Sequence, residues 1–193
     1  MHVIFSPKHR QHAPPVEFVR SGLGPYSESP NRADSILAAL ESAFDLLARR
    51  RIPIAGYISR PGSCELVNAL RAGLCPVEGR ADCDRCPWLG QVPPCSSVEG
   101  VSDAVLYRRV LGRGERSPVF ESTSRVLADY GPHQIFFFYV HAGDEVGRVE
   151  VPRYVAEDDE LLDLVHATIV DQAAKGGGYP VSLSEAHERA VVR

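Results

Sequence analysis

The run QIFFFYV at residues 134–140 constrains this chain more than any other stretch. Aromatic and β-branched side chains in close succession favour extended backbone, and the run is far shorter than the ~18 apolar residues a membrane span needs. It therefore predicts a buried strand. Gly143 and Asp144 turn the chain, and residues 145–151 supply a partner, so the two segments read as a hairpin. The next segment is helical: residues 158–175 set Leu161, Leu162, Val165 and Ile169 on one face and stop at Gly176-Gly177-Gly178. Strand and amphipathic helix alternate in this way along the chain, which predicts an α/β fold.

The same alternation holds upstream. Ile36, Leu37, Leu40, Phe44 and Leu47 fall at helical spacing from Ala33 onward, and Arg49-Arg50-Arg51 precedes the break at Pro53. Residues 52–58 form a short apolar run and predict a strand. Pro61-Gly62-Ser63 turns the chain, and Ser63 is placed to cap a helix over residues 65–72. Helical spacing returns at residues 102–111, and Ser182 with Glu185 forms a capping box for a last helix that carries His187. Residues 1–32 hold Pro7, Pro14, Pro15, Pro25 and Pro30 without a sustained period and read as an irregular arm, leaving residues 33–193 as the folded region.

Charge narrows the partners. A net charge of −4 gives no general attraction to nucleic acid or an anionic membrane, so such binding needs a local patch. Candidate phosphate contacts are Arg49-Arg50-Arg51 and Arg108, Arg109, Arg113 and Arg116, although cations at helix ends are commonly just solvated. The first ten residues lack the apolar core of a secretory signal, and a cytoplasmic protein is expected.

In a reducing compartment, crowded cysteines read as metal ligands before disulfides. Cys75, Cys83, Cys86 and Cys95 stand on a stretch stiffened by Pro76, Pro87, Pro93 and Pro94, which excludes a helix or a central strand. Four thiolates can close a tetrahedral Zn2+ site or hold a [4Fe-4S] cluster, and ordinary unliganded cysteines are the third reading. Cys64 reads as a plain small residue at a helix start.

Several blocks resemble the C-terminal part of the NurA family, in its bacterial form with a cysteine insert. They are IAGYISRPGS with the following LVNALR, then SDAVLYRRVL, GERSPVFES, QIFFFYV, GRVEVPRYVAEDDELLDLVH and KGGGYPVSLSEAHERAVV. The resemblance implies an RNase H-like α/β fold, a homodimer, Mn2+ or Mg2+ in the active site, and cleavage of DNA ends alongside a HerA-like hexameric ATPase in double-strand break repair. It departs at one point. Family members place metal-binding acidic residues in an N-terminal half opened by an Asp-Gly-Ser type motif, whereas this sequence contains no Asp-Gly pair. The expectation is a NurA-like chain that lacks the acidic half, as in a truncated form, and does not cut DNA by itself. The rival expectation is a non-catalytic, metal-stabilised module for dimerisation and ATPase docking.

Three residues carry the site expectation. Tyr57 and Arg60 lie at the end of the strand over residues 52–58, where α/β sheets place ligand groups. An arginine there can offset charge building on a scissile phosphate, or can simply brace the Pro61-Gly62 turn. The resemblance adds His187, since family members carry a histidine at this point of the last helix, facing the metal site. His166 reads as a packing residue. Asp158 and Asp159 read as charges that complement the dipole at a helix start.

Overall fold

The run at 134–140 forms a strand beside the middle one of a five-stranded sheet in the computed structural model. The structure describes residues 2–5, 30–75, 86, 91–123 and 131–191, with backbone alone at 2–5 and 30–37. In chain order the elements are β1 (His2–Phe5), α1 (Pro30–Arg49), β2 (Ile54–Ile58), α2 (Glu65–Gly73), a 3-10 turn (Pro94–Val98), α3 (Asp103–Val110) and β3 (Phe120–Glu121). The hairpin β4 (Ile135–His141) and β5 (Val146–Pro152) follows, then α4 (Arg153–Ala156), α5 (Asp159–Lys175) and α6 (Val181–Val191).

The sheet order is β1-β2-β5-β4-β3, with β1 parallel to β2 and every other pairing antiparallel. Helices cover both faces, which confirms the α/β reading. Because side chains alternate along a strand, Phe138 and Val140 of β4 point to one face, and Phe137 and Tyr139 to the other. The first face, with Tyr57, Val149 and Val151, packs on Val155, Leu161, Leu162, Val165, Ile169 and Leu183 of α4, α5 and α6. The second packs on Leu66, Ala104, Tyr107 and Leu111 around α2 and α3. Phe137, Phe138, Tyr139 and Val140 are all at most 1% exposed, so β4 is buried on both faces. Among the described residues no helix is long and apolar enough to cross a membrane.

Three local expectations change. The segment read as an irregular arm contains β1, which pairs with β2 from His2↔Ile54 to Phe5↔Tyr57; a four-residue edge strand is too short to show a period in sequence. Ser63 does not cap α2. The residue at the cap position is Cys64, whose side chain makes no capping bond, and the free amides of Leu66 and Val67 instead donate to the carboxylate of Asp103, at 3.2 and 2.9 Å. Ser63 Oγ pairs with the Tyr139 hydroxyl at 2.7 Å. The capping box at Ser182 is also displaced, since α6 starts at Val181 directly after Pro180, and the Ser182 amide donates to Gln172 Oε1 at 3.3 Å. A proline at a helix start has no amide to satisfy, which makes the box unnecessary.

Asp158 does cap α5, accepting from the Leu161 amide at 3.2 Å, and Arg51 meets the same side chain at 2.8 Å. His166 packs, with Nε2 2.8 Å from the Gly114 carbonyl.

Candidate functional site

The carboxyl end of β2 meets the turn of the β4–β5 hairpin. Tyr57 stands on β2 opposite Val149 of β5, and Val149's neighbour two residues back is Gly147. A Cβ on Gly147 would lie 2.4 Å from the Tyr57 ring and hydroxyl, so only glycine lets the phenol lie flat across β5. The phenol reaches the turn. Its hydroxyl donates to Glu145 Oε1 at 2.8 Å, and Ser59 Oγ donates to Glu145 Oε2 at 2.7 Å. Arg60 Nε lies 3.7 Å from the same Oε2.

These contacts give the residues different parts. The Glu145 side chain is 11% exposed, and two hydroxyls with one guanidinium compensate its charge. Tyr57 is 1% exposed, and burial, followed by the charge of Glu145, holds its hydroxyl protonated well above the ordinary tyrosine range. It serves as a fixed donor behind the surface. Arg60 is the reverse case, 80% exposed and reaching into solvent. Its φ of 48° lies in the left-handed region, which costs a residue with a Cβ roughly 1–2 kcal/mol.

The C-terminal segment closes the site from the α5–α6 side. Gly177 and Gly178 take φ of 67° and 106°, and a Cβ on Gly178 would come within 2.9 Å of the Asp144 side chain. The glycine-rich turn thus lies directly on the hairpin turn. Tyr179 follows, edge-on to Tyr57 with ring centroids 5.8 Å apart, and burial together with the Glu145 charge raises its hydroxyl above the ordinary range. His187 stands exposed on α6, one helical turn past the buried Leu183.

Tyr57 and Arg60 therefore come together as the sequence suggests, and they do so through Glu145. Sequence reasoning passed over Glu145 and Tyr179. The available signals were an acidic residue directly after the Gly143-Asp144 turn and an aromatic directly after the glycine run.

On the opposite face, Arg148 is 5% exposed and lies 3.8 Å over the Phe137 ring. It bonds Glu65 at the start of α2 and, through Nε at 2.9 Å, Glu150. This ion group ties α2 to the sheet.

Cys75, Cys86 and Cys95 are half-buried free thiols, and Cys83 lies outside the described residues. Among the described residues no three histidine, cysteine, aspartate or glutamate side chains converge as metal ligands.

The family model of the NurA domain matches residues 24–192, beginning nine residues before the Ala33 boundary read from sequence. No curated protein and no solved structure matches the chain.

Proposed function

The chain belongs to the NurA family, a nuclease-type family, and from that premise we propose that it acts in DNA-end processing together with a HerA-like ATPase, in double-strand break repair. The observation that carries this reading is the family match along residues 24–192. The site at the end of β2 supports it. An exposed guanidinium held at Arg60 suits a phosphate oxygen, and Glu145 and Tyr57 fix the strand end from which it projects. His187, on the helix that follows Tyr179, is proposed to act beside them on the strength of the family resemblance. An RNase H-like arrangement and a homodimer belong to the same proposal.

The Mn2+ or Mg2+ of the family needs several converging carboxylates. The described residues do not fit such an ion: no three ligands converge, and both oxygens of Glu145 are taken by hydroxyls. A second reading is a non-catalytic, metal-stabilised module for dimerisation and ATPase docking, favoured by a sequence that contains no Asp-Gly pair. Zn2+ or a [4Fe-4S] cluster on Cys75, Cys83, Cys86 and Cys95 is proposed from the donor chemistry alone, four thiols on one proline-rich stretch.

Purified chain mixed with linear DNA and a HerA-type ATPase tests both readings. Association with the ATPase, without Mn2+-dependent degradation, is the outcome expected of the docking module. Mn2+-dependent degradation that disappears in His187→Ala establishes a nuclease, since a contaminant survives that substitution. Failure to bind either partner removes the DNA-end reading altogether.

A further inference from the structure

The overall charge of −4 is unevenly spread around the hairpin turn at residues 142–145. Three arginines from three separate segments gather there. Arg108, exposed on α3, donates through Nη1 to the Asp144 carbonyl at 3.0 Å. Arg113 reaches the Asp144 carboxylate at 3.5 Å, and its Nη2 would lie 2.9 Å from a Cβ on Gly143. Arg60 projects from the next position along the site, beside Glu145.

The backbone fixes this grouping. Gly114 N donates to the His141 carbonyl at 2.8 Å, and His141 N donates to the Glu115 carbonyl at 3.0 Å, which clamps the segment carrying Arg113 to the hairpin. A Cβ cannot be added at Gly143 without displacing the Arg113 guanidinium.

The cations are not used up by these contacts. Arg108 bonds a neutral carbonyl, so its charge stays uncompensated there. The Arg113–Asp144 pair is 74% and 76% exposed, a setting in which an ion pair is worth little and yields readily to a better anion. Glu145 is buried and shared with two hydroxyls, which leaves Asp144 as the one exposed carboxylate of the turn itself. Forked, exposed guanidiniums that converge on one turn from three segments fit a phosphodiester backbone.

We propose that Arg60, Arg108 and Arg113 form a contact surface for the phosphate backbone of duplex DNA, continuous with the Glu145–Tyr57 site. The proposal deepens the DNA-end reading and rests on it. Asp144 then acts as a brake on binding, because it holds Arg113 in the absence of DNA.

The test is fluorescence anisotropy with a labelled duplex over a salt series, on the full chain, with thermal unfolding as the check on folding. In R108A/R113A, binding weakens for all sequences and the slope of log Kobs against log[salt] falls by roughly 2. R108K/R113K keeps most of that slope, so a fault in folding is separated from loss of charge. R71A/R153A, the same charge change in the last turn of α2 and at the start of α4, leaves the slope unaltered. D144N tightens binding roughly two- to fivefold at low salt. An unchanged slope in R108A/R113A, an equal fall in R71A/R153A, or no gain in D144N overturns the proposed surface while leaving the DNA-end reading in place. Wild-type chain that fails to bind duplex DNA at any salt overturns both.

Discussion

Replacing Asp103 by alanine is expected to destabilise the fold more than any exposed substitution, because one buried carboxylate caps two amides at the start of α2 and holds the Tyr139 hydroxyl. Asp103 is the first residue of α3, and it is 0% exposed. Its Oδ1 accepts from Val67 N at 2.9 Å, and its Oδ2 accepts from Leu66 N at 3.2 Å and from the Tyr139 hydroxyl at 2.8 Å. Alanine strands the two amides of α2. Tyr139 keeps a partner in Ser63, so its loss is partial. A lost cap is worth about 1 kcal/mol, and a second stranded buried donor adds about 1–3 kcal/mol, giving a cost of roughly 3 kcal/mol for D103A. Asparagine retains one acceptor and can donate to the Tyr139 oxygen, so D103N should cost about half as much. Urea unfolding followed by circular dichroism measures both. For a chain of this size about 3 kcal/mol corresponds to a fall in Tm of roughly 6–12 °C. A D103A cost below about 1 kcal/mol, or equal costs for the two variants, would refute the double-cap reasoning.

Gly147→Ala drives a methyl into the Tyr57 ring and should cost about 1–3 kcal/mol, with most of the loss recovered when Tyr57 is shortened to valine in the same chain; a denaturant double-mutant cycle without coupling contradicts the clash. Stability should fall as pH rises. Tyr57 and Tyr139 are held protonated in the fold above their ordinary value of 10.0, so the unfolded chain ionises first and gains by about 1.4 kcal/mol per pH unit per tyrosine from that pH upward. Tyr57→Phe should flatten that slope between pH 10 and the folded-state ionisation, and an identical alkaline profile in the variant counts against it. Anaerobically purified chain should carry an absorbance near roughly 400 nm from a cluster, or about one zinc per chain, and elemental analysis finding neither iron nor zinc ends the four-cysteine proposal.

What the sequence made legible was local. Phe136 to Val140 and the period from Leu161 to Ile169 each contain their own evidence, since every residue in the pattern lies within a turn or two of the next. The end of β2 was legible for the same reason, as an apolar run that stops at Tyr57-Ile58-Ser59-Arg60. The structure's less visible parts depend on partners distant in the chain. β1 is a strand because β2 lies beside it, more than forty residues on. Glu145 gains its place from Tyr57 and Ser59, 88 and 86 residues away, and no pattern near Glu145 hints at them. Ser63 illustrates the opposite error: its position suited a helix cap, but Asp103 took that duty from across the sequence.

The neighbours Gly147 and Arg148 have opposite requirements, and this gives β5 a built-in gauge of its own alignment. Gly147 lies beneath Tyr57, where a single methyl has no room, while Arg148 turns to the other face to meet Phe137, Glu65 and Glu150. If β5 paired one residue out of step with β4, the two would trade faces. A guanidinium would then occupy the floor of the Tyr57 site, Glu150 would follow it to that face, and Glu65 would be left on the other without its cation. Such a hairpin could close on itself, yet β2 could not add to it. Docking of β2, the strand that delivers Tyr57, Ser59 and Arg60, thus requires the correctly paired hairpin, and the Tyr57–Glu145 cluster can be assembled only on it.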